Sequence, residues 1–140
     1  MKWIQIIIFL GGLCLLQTQG FAQEFNIQSD TLLWKASNYT DAVTDTTAAN
    51  SSEFITYSTS QLKWTQQSQA GTTVFEFTVQ SVEGDLSSDG YIIFHTTRKN
   101  KNQTFRFEHI GTSFKVTLSY DASIEKTFIF SISTVSKITN

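Results

Sequence analysis

The chain has 140 residues with 14 % aromatics, 16 % charged residues, no proline and a formal net charge of −2. So weak and negative a balance gives no electrostatic case for nucleic acid or an anionic membrane as partner. The abundance of Phe and Thr, against sparse Leu, Ala, Glu and Lys, favours strands over helices and excludes a helical bundle.

The first 22 residues read as an export signal. Lys2 supplies a positive start, Ile4 to Leu16 is an apolar run, and Gly20-Phe21-Ala22 places small residues at a cleavage site before Gln23. The run is too short to span a bilayer, and no later stretch is long and apolar enough to form a transmembrane helix. The single Cys14 falls inside the signal, and Gly11-Gly12-Leu13 before it lacks the small residue that a lipidation site needs directly before the cysteine. Residues 23–140 therefore hold no thiol, and a single domain there relies on its apolar core without disulfides. The expected destination is secreted or periplasmic.

Phe25 to Lys35 reads as a first strand, with a bulge suggested where Leu32-Leu33-Trp34 breaks the alternation. Ala36 to Glu53, rich in Thr, Asp, Ala, Asn and Ser, reads as a long loop between first and second strands. Phe54–Ser58 and Gln61–Gln67 pair around Thr59-Ser60, setting Ile55 opposite Trp64 and Tyr57 opposite Leu62. The clearest strand is Thr72–Val82, where Phe75, Phe77 and Val79 alternate with polar neighbours. It faces Trp64 with Phe75 and Leu62 with Phe77.

The loop Gly84–Asp89 returns the chain into Gly90–Arg98, with Val79 opposite Phe94. A turn at Asn100-Lys101 sets Phe94 opposite Phe107 and Thr96 opposite Phe105. Gly111-Thr112 then sets His109 opposite Phe114, Phe107 opposite Val116 and Phe105 opposite Leu118. A loop at Asp121–Glu125 brings Phe128, Phe130 and Ile132 onto the same face. Because a one-residue slip inverts a strand, the continuity of this apolar face is strong evidence of a meander.

These features predict an all-β domain: an antiparallel up-and-down meander of about eight strands, closed as a small barrel with an aromatic interior, or alternatively a sandwich. Its apolar face points inward, the reverse of an outer-membrane barrel. The arrangement resembles the lipocalins in outline, a likeness that implies a lidded mouth. The family's Gly-x-Trp motif is absent, since Trp34 follows Leu32-Leu33, and no family residues carry over.

No nucleophile elbow, phosphate loop, calcium-loop spacing or metal-ligand spacing occurs, so the expectation is a non-catalytic protein without cofactor or metal. The first functional expectation is a barrel that takes a small apolar ligand or lipid among Trp64, Phe77, Phe94, Phe107 and His109, lidded by residues 36–53. His109 is the one ionisable side chain phased inward there. The alternative is a solid-core surface module that contacts a protein or glycan through Tyr39 and the basic hairpin Arg98, Lys99 and Lys101. Cavity volume separates the two: a ligand barrel needs roughly 300 Å³ or more of enclosed apolar space.

Overall fold

The computed structural model describes residues 25–121 and 124–139; the expected signal, the end residue Asn140 and Ala122-Ser123 of the last loop lie outside the described residues. Eight strands run in sequence: β1 Thr31–Asp41, β2 Thr46–Tyr57, β3 Gln61–Ser68, β4 Gly71–Asp85, β5 Tyr91–Arg98, β6 Lys101–Ile110, β7 Ser113–Tyr120 and β8 Thr127–Lys137. Each pairs antiparallel with the next, and β8 returns to β1, so the sheet closes as a barrel with no free edge. The sandwich alternative is thereby set aside.

One end, here the upper, carries the start of β1 and the end of β8, together with the β2–β3, β4–β5 and β6–β7 connections. The lower end carries the β1–β2, β3–β4, β5–β6 and β7–β8 connections. Between them the inward rows fill the barrel. Trp34, Phe54, Phe94, Phe105 and Phe107 have no exposed surface, and Phe130 almost none. Their rings meet edge-on: Phe77 on Phe105 at 4.8 Å, Phe54 on Phe130 at 5.0 Å and Phe94 on Phe107 at 5.5 Å between centroids. Burial of each such ring stabilises the fold by roughly 1.5–3 kcal/mol, which is how a thiol-free barrel of this size holds together.

Six parts of the sequence reading need correction. The stretch Ala36–Glu53 is the lower half of β1 and β2, joined by the tight turn Ala42–Asp45. Apart from Tyr39, its inward positions are small or polar (Ala36, Ala48, Asn50, Ser52), so the strands lack the apolar alternation that marks a strand in sequence. The register shift in β1 falls at Ser37 instead of at Leu32-Leu33. The first strand starts at Thr31, because Asn26 and Asp30 fold the preceding residues into a turn. Asp30 Oδ2 accepts the Asn26 N–H at 2.8 Å, Asn26 Oδ1 accepts the Gln28 N–H at 2.9 Å, and Asn26 O accepts the Asp30 N–H at 2.7 Å.

The β2–β3 hairpin turns over three residues, Ser58 to Ser60, with Ser58 at φ 47°. Tyr57 therefore faces Gln61 and Phe54 faces Trp64, so Phe54 and Thr56 point inward where Ile55 and Tyr57 were expected. At the β5–β6 hairpin, Lys99 and Asn100 both take positive φ (51° and 62°), the two-residue geometry that follows strand twist. Phe94 then faces Phe105 and Ile92 faces Phe107, a shift of two that keeps every side chain on its expected face. In β4 the extra residue Gln80 bulges, so Val79 meets Thr96 and Val82 meets Phe94. Beyond it, Gly84 (φ 81°) passes under the Tyr91 ring, where a Cβ would lie 2.7 Å from Tyr91 Cε2. The β3–β4 and β6–β7 registers are as the sequence implies, and β8 returns Phe128, Phe130 and Ile132 opposite Leu118, Val116 and Phe114 on the inner face.

Candidate functional site

The expected ligand pocket is a core. Trp64, Phe77, Phe94 and Phe107 are buried against other rings, and the indole N–H groups are already engaged. Trp34 Nε1 donates to Thr56 Oγ1 at 3.2 Å; Trp64 Nε1 donates to Ser52 Oγ at 3.1 Å, which in turn donates to Asn50 Oδ1 at 2.8 Å. Buried polar groups paired in this way are fixed parts of the core. His109 holds an inward-row position but lies past the last buried layer, exposed and stacked on Phe114 at 4.5 Å. β6 runs beyond Phe107 out of the barrel, which the alternation of side chains alone does not reveal.

At the upper end, the segment Phe25–Asp30 lies across the mouth as a strap. Ile27 is buried, and Phe25 packs edge-on against Trp34 at 5.6 Å and against Phe114 at 5.8 Å. Lys137 Nζ clamps Asp30 at 2.8 Å, and the strap's turn together with this lysine holds the Asp30 carboxyl below its ordinary range. What remains is a depression of about 270 Å³ between the strap, Leu86 and the His109–Phe114 pair.

The lower end is built differently. Its inward positions are Tyr39, Phe75, Arg98, Lys101, Gln103, Tyr120 and Phe128, mixed aromatic and polar, in place of the largely apolar layers above. Tyr39 is a strand residue here, half-buried, with its ring 5.8 Å from that of Phe128. The Arg98 guanidinium rests over the Phe75 ring at 4.8 Å. Burial pushes the Tyr120 phenol up, the Arg98 charge offsetting part of the effect, so it stays a neutral hydroxyl at physiological pH. Lys99, in the adjoining turn, and Lys101, at the first position of β6, are exposed.

Elsewhere four cations are paired, Lys35 with Glu53, Arg106 and Lys115 with Glu108, and Lys137 with Asp30, while Lys63 and Lys126 stand singly without a carboxylate in ion-pair range among the described residues. Arg98, Lys99 and Lys101 have no carboxylate in ion-pair range among the described residues. The sequence-derived contact residues Tyr39, Arg98, Lys99 and Lys101 thus come to one end of the barrel. Trp64, Phe77, Phe94, Phe107 and His109 form no common surface.

Two shallow depressions flank the cationic hairpin. One, of about 630 Å³, is bordered by Glu76, Thr78, Thr97, Arg98, Lys99 and Asn100. The other, of about 570 Å³, is bordered by Gln80, Ser81, Asn102, Gln103, Thr104 and Asp121, with His95. Gln103 is the residue that the sequence reading passed over. Its Oε1 is buried with no hydrogen-bond partner among the described residues. The signal was a polar residue two places before Phe105 on the inward row, but one inward glutamine at a strand start is easily taken for the edge of the core.

Among the described residues no group of three or more His, Cys, Asp or Glu is placed to hold a metal ion. His95 Nε2 lies 3.3 Å from Glu83 on the outer wall, an exposed pair with no third group to orient it. No protein-family model matches the chain, and no curated protein matches it in sequence.

Proposed function

We propose that this is an exported, non-catalytic interaction module with a solid core, which engages an anionic partner, protein or glycan, through the lower end of its barrel. The observation that carries the reading is the clustering of unpaired charge: Arg98, Lys99 and Lys101 lie together on one hairpin with no carboxylate in ion-pair range among the described residues, whereas Lys35, Arg106, Lys115 and Lys137 are each paired. Unpaired charge at a rim steers encounter and selects partners by sign. The aromatic faces of Tyr39, Phe75 and Phe128 beside it add contact area. Uptake of a small apolar ligand or lipid into the interior would require displacing rings that are wholly buried.

The test is a salt series. Binding of the protein to immobilised polyanions should weaken steeply between low and physiological ionic strength. The double variant Lys99→Glu/Lys101→Glu should lose most of it with an unchanged melting temperature. Salt-independent binding, or native mass spectrometry that finds an apolar molecule retained in the barrel, would overturn the reading.

A further inference from the structure

We propose, resting on that reading, that the partner is a protein which lays an extended acidic segment along the lower part of β4 as an added strand. Closure leaves the barrel no edge strand, yet β4 outruns its neighbour. It pairs with β3 over Gly71–Thr78 but meets β5 only from Thr78, which faces Thr97. Below that level its second side faces no strand. The Val79 N–H donates to Ser60 O at 3.1 Å, so odd-numbered residues of this stretch turn their main-chain groups to β3 and even-numbered ones away from it. The N–H and C=O groups of Thr72, Val74 and Glu76 therefore point into a gap, with no partner among the described residues. Such a row is a template for an incoming strand.

The gap is the depression of about 630 Å³ that Val74, Glu76, Arg98 and Lys99 line together. Val74 is 51 % exposed, without apolar cover in the middle of the run. On an added antiparallel strand, the residue opposite Val74 shares its outer face. The next residue, opposite Phe75, turns inward towards the Arg98 guanidinium that rests over the Phe75 ring. An apolar residue beside an acidic one meets both demands, and the carboxylate exchanges a weak ring contact of Arg98 for an ion pair. Glu76 also lines the gap, but it stands opposite Lys63 in the β3–β4 ladder, so Lys63, Arg98 and Lys99 outweigh it. A sugar polymer has no alternating N–H and C=O groups to match the β4 row. A second copy of this chain would bring a second cationic hairpin to the same short gap, like charge against like.

The probe is a capped Thr-Val-Glu-Val-Glu-Thr peptide, titrated into the whole protein and followed by hydrogen exchange. At saturation the amides of Thr72, Val74 and Glu76 should become protected. N-methylation of the peptide's valines, whose N–H groups face β4, should weaken binding by about tenfold or more, and N-methylation of its glutamates should do little. Val74→Pro removes one N–H from the gap without breaking a β3 rung, so it should abolish peptide binding while the melting temperature falls only slightly. Should that variant fold poorly, the methylated peptides carry the test. Unprotected amides at saturation, or equal effects of the two methylations, overturn strand addition, while salt-sensitive polyanion binding by the same sample keeps the anionic reading. Equal affinity for the peptide with Gln in place of Glu overturns the acidic assignment. A polyuronate that protects the same amides overturns the protein assignment, and protection without peptide at a doubled mass in solution makes the occupant a second copy. If neither peptide nor polyanion binds, both readings fail.

Discussion

At its upper end the barrel is shut by its own chain: the strap Phe25–Asp30 inserts Ile27, leans Phe25 on Trp34 and Phe114, and is tied down by Asp30 and Lys137. At the lower end no segment crosses the mouth among the described residues, and the inward rows change from rings to Arg98, Gln103 and Tyr120. The same meander thus spends its two ends on different tasks. Where the chain covers its own opening, apolar contact and paired charge dominate. Where it does not, charge is left unpaired and a buried acceptor is left unmatched, both of which weaken a fold that gains nothing from them. The closed end is apolar and clamped; the open end is where the proposed recognition would act.

Substitutions can break that division or sharpen it. Trp34→Ala removes the ring that joins the strap to Phe107 and strands the Thr56 hydroxyl, and should cost about 3–5 kcal/mol in chemical denaturation. Ile27→Ala should cost about 2 kcal/mol, the low end for a buried Ile, because the strap can shift to close the gap. Hydrogen exchange at residues 25–30 should rise first in that variant, ahead of the strands. An equal loss of protection throughout the barrel would show that the strap is one unit with the core. Arg98→Met at the opposite end should cost no more than about 0.5–1 kcal/mol, the worth of a partly exposed cation–ring contact, and yet should abolish most polyanion binding. A large stability loss there would erase the distinction between the ends.

The smallest effect is expected on the outer wall. Arg106 chiefly, with Lys115, holds the Glu108 carboxyl below its ordinary value of 4.5. A carboxyl lowered in the folded state stabilises above its unfolded pKa and loses that contribution as pH falls through the folded value. Glu108 is partly exposed, so solvent screening limits the effect to under about 1 kcal/mol. Denaturation midpoints of the parent should therefore fall more steeply on acidification than those of Glu108→Gln, and coincident slopes would remove the pair from the account.

How much of this was legible in the sequence follows the same division. Strands whose inward residues are large rings, from Trp64 through Phe130, declare themselves by alternation, and their inward faces survive even a one-residue misplacement of the β5–β6 turn, since the two-residue register shift it causes keeps parity. The lower halves of β1 and β2 do not, because Ala36, Asn50 and Ser52 fill inward positions with small or polar groups and so read as loop. An odd-length turn, Ser58 to Ser60, exchanges Ile55 for Phe54 inside the barrel; both are strand formers, and only the turn's backbone decides between them. Of the site, the cationic hairpin and Tyr39 were visible as charge and aromaticity. Gln103 was not, because its meaning lies in the absence of a donor, which is a property of packing.

The position of the strap and of the last strand has a mechanical consequence. β1 begins and β8 ends at the same end of the barrel, side by side, with Ile138 N–H on Thr31 O at 2.9 Å and Lys137 on Asp30. Tension applied between the two ends of the domain would thus peel the β1–β8 seam rung by rung, like a zip, instead of shearing its whole ladder at once. The barrel would yield at low force along one line, while a load arriving through the β5–β6 hairpin and leaving through either terminus would run along the strands and meet them at their strongest.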